Sequence, residues 1–242
     1  MKRKLSFFIA VGMIFSTAIT SCDEDEAPIE LNPGIMEMTT KVSGNVTFYV
    51  YGTGGATVDW GDWTKETGIF TDDEYYEFNH TYSSSITRTI NIYGKGIQVF
   101  ICSNIPLISL DVSRNTNLFT QFCVENQLTS LDVRKNTALM YLVCGHNQLT
   151  SLDLSNNDIL CHLQCYDNSL KSLDLSNNSS LVSLNCNSNQ LTAVALDALF
   201  GSLHNIPNDI RGVEKYISIQ DNPGTATCHP NIASEKGWKV ID

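Results

Sequence analysis

Positive charge is scarce in this sequence. Fifteen Lys and Arg face 26 Asp and Glu, for a formal net charge of −11 at pH 7. Such a surface repels nucleic-acid phosphates, and its folded domains gain nothing from anionic headgroups. Catalytic signatures are missing as well. No G-x-S-x-G, H-E-x-x-H or phosphate-cradling glycine loop occurs, so nothing marks acyl transfer, zinc hydrolysis or phosphoryl transfer. The five histidines are scattered, and Glu66, Glu74 and Glu77 have no spacing that singles out an acid and a base. Neither an enzyme nor a cofactor is expected. A membrane span is also missing, because the uncharged run from Leu5 to Ile19 falls short of the roughly 20 residues needed. With 42% hydrophobic and 17% charged residues over 242 positions, one or two globular domains are expected rather than disorder.

The N-terminus has the outline of a secretory signal: basic Lys2, Arg3 and Lys4, then the apolar run, then small residues before Cys22. The Ile-Thr-Ser-Cys ending resembles a bacterial lipobox, with Thr20 and Ser21 where alanine and glycine are commonest. The resemblance implies lipidation at Cys22, the chain's only membrane contact. Cleavage would take the net charge from −11 to −14 by removing the three basic residues. Residues 1–22 are therefore the signal and anchor, and residues 23–36 an acidic linker opening on Asp23, Glu24, Asp25 and Glu26. That acidic run resembles the export signal of Bacteroidetes-type surface lipoproteins, which implies a surface-exposed place on the outer membrane. An aspartate directly after the cysteine is elsewhere a retention signal for the inner membrane, so orientation stays open.

The second half repeats every 21 residues. Cys102, Cys123, Cys144, Cys165 and Cys186 keep that step, as do Leu118, Leu139, Leu160 and Leu181. Asn126, Asn147, Asn168 and Asn189 form one asparagine ladder, and Asn115, Asn136, Asn157 and Asn178 another. Each unit has two legs, L-x-x-L-x-C-x-x-N and L-T-S-L-D-L-S-x-N. Both show the brief alternation of a strand with one buried face, then an asparagine whose amide serves the backbone at a turn. One coil cannot bury its apolar edge alone, but stacked neighbours can. The pattern resembles leucine-rich repeats, most closely the cysteine-ladder repeats of internalins and Bacteroidetes surface proteins. It implies a right-handed solenoid over residues 101–242 with a parallel sheet on one face. The resemblance also implies that this face binds proteins or glycans. A cap is expected over about 197–242, with a helix from Asp197 to Leu203, a last strand at Ile217 and Ile219, and Trp238 covering the final coil.

Residues 37–100 differ. Alternating β-branched and aromatic stretches at Val46–Tyr51, Thr57–Trp60 and Thr87–Tyr93 predict short strands of a small β-sandwich. Trp60-Gly61-Asp62, His80-Thr81-Tyr82 and Thr89–Ile92 resemble the PKD-like immunoglobulin fold, with Trp63 where that family has glycine. The fold class expected overall is mainly β, a PKD-like sandwich followed by the solenoid. The sandwich would serve as a spacer and as a cap for the first coil.

Outward positions beside the cysteines should carry any ligand. Phe122, Tyr141, His162, Gln164, Tyr166 and Asn185 are the candidates, a mixture of aromatics and amides that suits a protein on a host or microbial surface, or a glycan. The ladder cysteines alternate with leucine and are expected as buried, reduced packing residues. Cys161, His162 and Cys165 look like metal ligands, but the third points inward and the second outward, so no metal is expected. Asp111, Asp132, Asp153 and Asp174 could hold calcium or bond local serines and backbone; the two readings stay open.

Overall fold

The computed structural model describes residues 35–205 and 214–242, all within one compact unit, Asn32–Asp242. The signal, Cys22 and the linker up to residue 34 lie outside the described residues, as does segment 206–213 of the cap.

The first six strands are β1 (Ile35–Thr40), β2 (Gly44–Asp59), β3 (Lys65–Phe70), β4 (Tyr76–Tyr82), β5 (Arg88–Ile101) and β6 (Leu107–Asp111). All pair antiparallel among themselves, giving an N-terminal antiparallel region. The stretches at Val46 and Thr57 are two halves of one strand, not two strands. β2 pairs β4 with its first half, β3 with its second, and β5 along its other edge. It bends where the register shifts at Gly52. A Cβ on Gly52 would lie 2.0 Å from the Gly96 carbonyl oxygen, so only glycine permits the strands to meet there. Phe48 centres this core, with ring centroids 5.6 Å from Trp60, 5.3 Å from Phe78 and 5.6 Å from Phe100.

The solenoid follows as β7 (Thr120–Phe122), β8 (Tyr141–Val143), β9 (His162–Gln164), β10 (Ser183–Asn185), β11 (Lys215–Ser218) and β12 (Trp238–Ile241). They stack in parallel, in the order β12-β11-β10-β9-β8-β7-β5. The stack begins on β5, whose Val99, Phe100 and Ile101 pair with Thr120, Gln121 and Phe122. β12 is the last strand, one beyond β11, which holds Ile217 and ends just before Ile219. At ~4.8 Å per spacing the parallel sheet is roughly 29 Å wide.

Each coil turns by the same device. After the inward cysteine a left-handed residue follows (Glu125, His146, Asp167 or Ser188, with φ of 50 to 56°), then the ladder asparagine. Asn168 is representative. Its Nδ2 donates to the carbonyls of Cys144 at 3.0 Å and Cys165 at 3.2 Å, and its Oδ1 accepts from the Leu149 N–H at 2.9 Å. One amide thus ties two coils together and satisfies buried backbone groups that would otherwise cost free energy. The second ladder does likewise: Asn157 Nδ2 donates to Val133 at 3.1 Å and Asn136 at 2.9 Å. The second leg was expected to form short strands, and only in the first coil does it do so. There β6 has β1 as partner; in later coils side-chain amides and aspartates take over the backbone groups that a ladder would use.

Both ends of the stack are covered. β1 lies between β5 and β6, and places Met36 and Met38, 1% and 0% exposed, over the first coil. Thr40 Oγ1 donates to the Ile105 carbonyl at 3.0 Å. At the far end α1 (Ala193–Ser202) begins four residues earlier than expected, because Thr192 caps it by accepting from the Ala195 N–H at 3.3 Å. Leu196, Leu199 and Phe200 are its buried side, and Trp238 is buried with them. Lys236 donates to the carbonyls of Gly201 and Leu203, completing the helix end.

One residue breaks the inner pattern. Phe100, Gln121, Leu142, Leu163, Leu184 and Ile217 occupy one inward row. Gln121 is fully buried there. Its Nε2 donates to the Phe122 carbonyl at 3.2 Å and approaches Cys102 Sγ at 3.4 Å, while its Oε1 has no partner.

Candidate functional site

The outward face of the parallel sheet has two in-register rows, each with one residue per coil. One runs Thr120, Tyr141, His162, Ser183, Tyr216; the other runs Phe122, Val143, Gln164, Asn185, Ser218. The six residues read from sequence as ligand-binding all lie on this sheet or at its turn edge, and all are partly exposed. Tyr141 and His162 stack face to face, 4.8 Å apart and 7° from parallel. Burial beside the ring lowers the His162 pKa, which keeps the imidazole neutral near pH 7. Phe119, one residue before the row, is tilted against Tyr141 at 5.6 Å. Thr120 and Ser183 face the same way but are buried at 7% and 6% exposure, small residues overshadowed by larger neighbours.

Two residues escaped the sequence reading. Phe119 sits just before its strand, and Tyr216 lies beyond the point where the period breaks. They are 39% and 43% exposed. The column Phe119, Met140, Cys161, Val182 was legible as an apolar 21-residue ladder, and that signal could have found the first. Tyr216 needed the register that pairs it with Ser183.

The ladder cysteines are 0% exposed and free. Burial pushes Cys102, Cys144 and Cys186 up to about 12, so they are not nucleophiles. Among the described residues no group of three or more His, Cys, Asp and Glu could hold a metal ion. Asp111, Asp132, Asp153 and Asp174 each turn an Oδ1 to the N–H two residues on, at 2.8, 3.1, 3.0 and 2.9 Å. They form a column of Asx turns on the second leg, away from the sheet. Arg134 bonds Asp132 through two nitrogens and holds its carboxyl at about 2.

In the N-terminal region the Trp60, Asp62, His80 and Tyr82 motif is a packing device. His80 stacks on Trp60 at 5.0 Å and bonds Asp62 at 2.7 Å, and the Tyr82 hydroxyl donates to the Trp60 carbonyl at 2.5 Å. Trp63 adopts the left-handed conformation, at φ 72°, and its side chain is fully exposed.

These features define a mainly β protein: an antiparallel region continuous with a parallel β-solenoid of leucine-rich coils, with an inner cysteine ladder and an outer aromatic row. Solved structures similar to it include the functional domain of InlJ from Listeria monocytogenes, described as including a cysteine ladder. That match is 34% identical and covers 56% of this chain and 27% of that one, with a TM-score of 0.45. An internalin, inlF, from Listeria monocytogenes str. 4b F2365 is 22% identical, covering 54% of this chain and 36% of that one, with a TM-score of 0.45. Internalin C2 of the same strain is 16% identical, covering 60% and 81%, with a TM-score of 0.34. The chain thus spans about a quarter to a third of the first two. No family model and no curated protein matches it.

Proposed function

We propose that this chain is a non-enzymatic cell-surface lipoprotein that recognises a protein partner through the outward face of its parallel sheet. The observation that carries the reading is the in-register stack of Tyr141 on His162, with Phe119, one residue before the row, tilted against Tyr141. Rigid aromatics held in register give contact area at little entropic cost, which is what a binding hot spot requires. The glycan alternative is weaker along this row, because Tyr141 and His162 turn their ring faces on each other and offer a ligand only edges. Cys22 supplies the lipid anchor at the outer membrane, and the acidic linker that follows it the tether. The antiparallel region, in this reading a PKD-like module, holds the solenoid away from the membrane and closes its first coil.

Site-specific photocrosslinking in intact cells tests the recognition face. A crosslinker at Val143 should give discrete protein adducts, and one at Asn156, exposed on the second leg, should not. Equal adducts from both positions, or none from either, would overturn the reading. Protease shaving tests the location: a protein that survives until the envelope is opened is not on the surface.

A further inference from the structure

Tyr166 is held unlike its neighbours in the same column of coils. It leaves its strand just after the inward Cys165 and lies back across the adjacent coil, over Gly145. A Cβ on Gly145 would come within 2.6 to 2.8 Å of the Tyr166 ring, so glycine is what lets the ring lie flat. Gly145 and Asn187 stand at the corresponding positions of the coils on either side, and Val124 one coil beyond Gly145. The His146 ring stands edge-on to Tyr166, 5.0 Å away at 87°, and is itself pinned by a bond from Nδ1 to Asp167. One ring face rests on Gly145, which leaves the other toward solvent.

The direction of the ring matters. Coils are ~4.8 Å apart and a tyrosine reaches slightly further, so the hydroxyl passes Gly145 and approaches the coil of Glu125. Backbone bonds fix the alignment: the Glu125 N–H donates to Gly145 at 3.2 Å, and the His146 N–H donates to Tyr166 at 3.0 Å. Burial and then the carboxylates of Glu125 and Asp167 push the Tyr166 hydroxyl pKa upward. Glu125 is exposed and has no ion-pair partner among the described residues. The result is a flat aromatic plate with the Glu125 coil beyond its hydroxyl and the Asp167 carboxylate held beside it by His146.

We propose that Tyr166, Glu125 and Asp167 form a seat for an arginine side chain of the protein partner; this rests on the recognition face described above. A planar guanidinium stacks on an aromatic face and donates in its own plane to carboxylates at its edge. A sugar ring could stack on the same face, but it is neutral and leaves the Glu125 charge unbalanced, whereas a guanidinium neutralises it. Asp167 is shared with His146, so the unpaired negative charge beside the plate is that of Glu125, on a chain whose net charge is already −11.

The test titrates the whole chain with Nα-acetyl-arginine amide at low salt, following the Tyr166 ring and Glu125 carboxylate signals by NMR. Saturable millimolar shifts confined to Tyr166, Glu125, Asp167 and His146 are expected. The neutral citrulline analogue should give none. Glu125→Gln, a surface change that leaves the melting temperature alone, should weaken the arginine analogue about tenfold by removing one charge-assisted bond. Equal shifts with citrulline, or shifts with methyl glucopyranoside in place of arginine, would overturn the assignment. If arginine leaves Tyr166 unmoved while the Val143 crosslinks persist, the seat fails and the recognition face stands. If the crosslinks vanish while arginine still binds, the face fails and the seat is a cation site with another use.

Discussion

Replacing Gln121 with leucine should make the protein more stable. The residue occupies a row filled elsewhere by Phe100, Leu142, Leu163, Leu184 and Ile217, and it is fully buried. Its Oε1 has no partner. A buried acceptor left unsatisfied costs about 1–3 kcal/mol. Against this stand two bonds from Nε2, and neither is needed by its acceptor. The Phe122 carbonyl already accepts from the Cys102 N–H at 2.9 Å, and a thiol is a weak acceptor. Leucine has close to the same volume and removes the stranded oxygen, so a net gain of about 1–2 kcal/mol follows. For a folded unit of this size each kcal/mol raises the melting temperature by about 2–4 °C. Thermal melts under reducing conditions would then show Gln121→Leu higher by about 2–8 °C. Leu142→Gln, the reverse change one coil along, should fall by more than that. If Gln121→Leu melted at or below the parent, the reasoning would be wrong. A buried water would then be serving Oε1, and Gln121 would be a stabilising polar element rather than an unsatisfied one.

Other consequences follow from the same geometry. Asn168→Ala removes four bonds across two coils and leaves the buried Leu149 N–H unpaired; it should cost about 2–4 kcal/mol, read from urea unfolding. The five ladder thiols should resist alkylation in the native protein and react together on unfolding, and a fast-reacting Cys144 would contradict its burial. His162 carries a pKa lowered by burial, so below ~6.5 the unfolded chain takes up a proton that the folded chain refuses. Its contribution is therefore complete above that pH and lost as the pH falls toward the folded value. A titration of His162 by NMR with a midpoint at or above 6.5 would contradict the sign.

The solenoid was legible because its signal is redundant. Five cysteines, two asparagine ladders and a leucine ladder keep one step, and each fixes the orientation of its neighbours. The outward rows followed from alternation alone, and they place Tyr141 and His162 side by side. What alternation could not give was the direction of a ring. Tyr141 stands against His162, whereas Tyr166 lies flat, and the difference comes from Gly145, a residue of the adjacent coil. The helix start was misplaced because the periodic leucines were followed to Leu196 while Thr192 had already capped α1. The antiparallel region was harder still. Its strands pair across distant stretches, so nothing local revealed that Val46 and Thr57 share one bent strand.

The junction near residue 100 carries the last consequence. Composition changes there, yet β5 runs through it and serves both sides: Ile90 and Ile92 pair with β1, while Val99 and Ile101 pair with the first coil. β1 in turn places Met36 and Met38 over the first coil, and Asn115 turns its amide to Met36 Sδ at 3.5 Å. A fragment beginning at Ile101 would lose β1 and nearly all of β5, uncovering Ile105, Leu107 and Leu118. Two buried methionines alone represent about 3–6 kcal/mol of apolar burial, a large part of the 5–15 kcal/mol typical of a folded domain. That fragment should aggregate or melt far below the whole chain, and the whole chain should unfold in one transition sensed equally by Trp60 and by the solenoid thiols. Two separate transitions, with the isolated repeat fragment melting where the solenoid does in the intact protein, would show that the shared strand does not couple the halves.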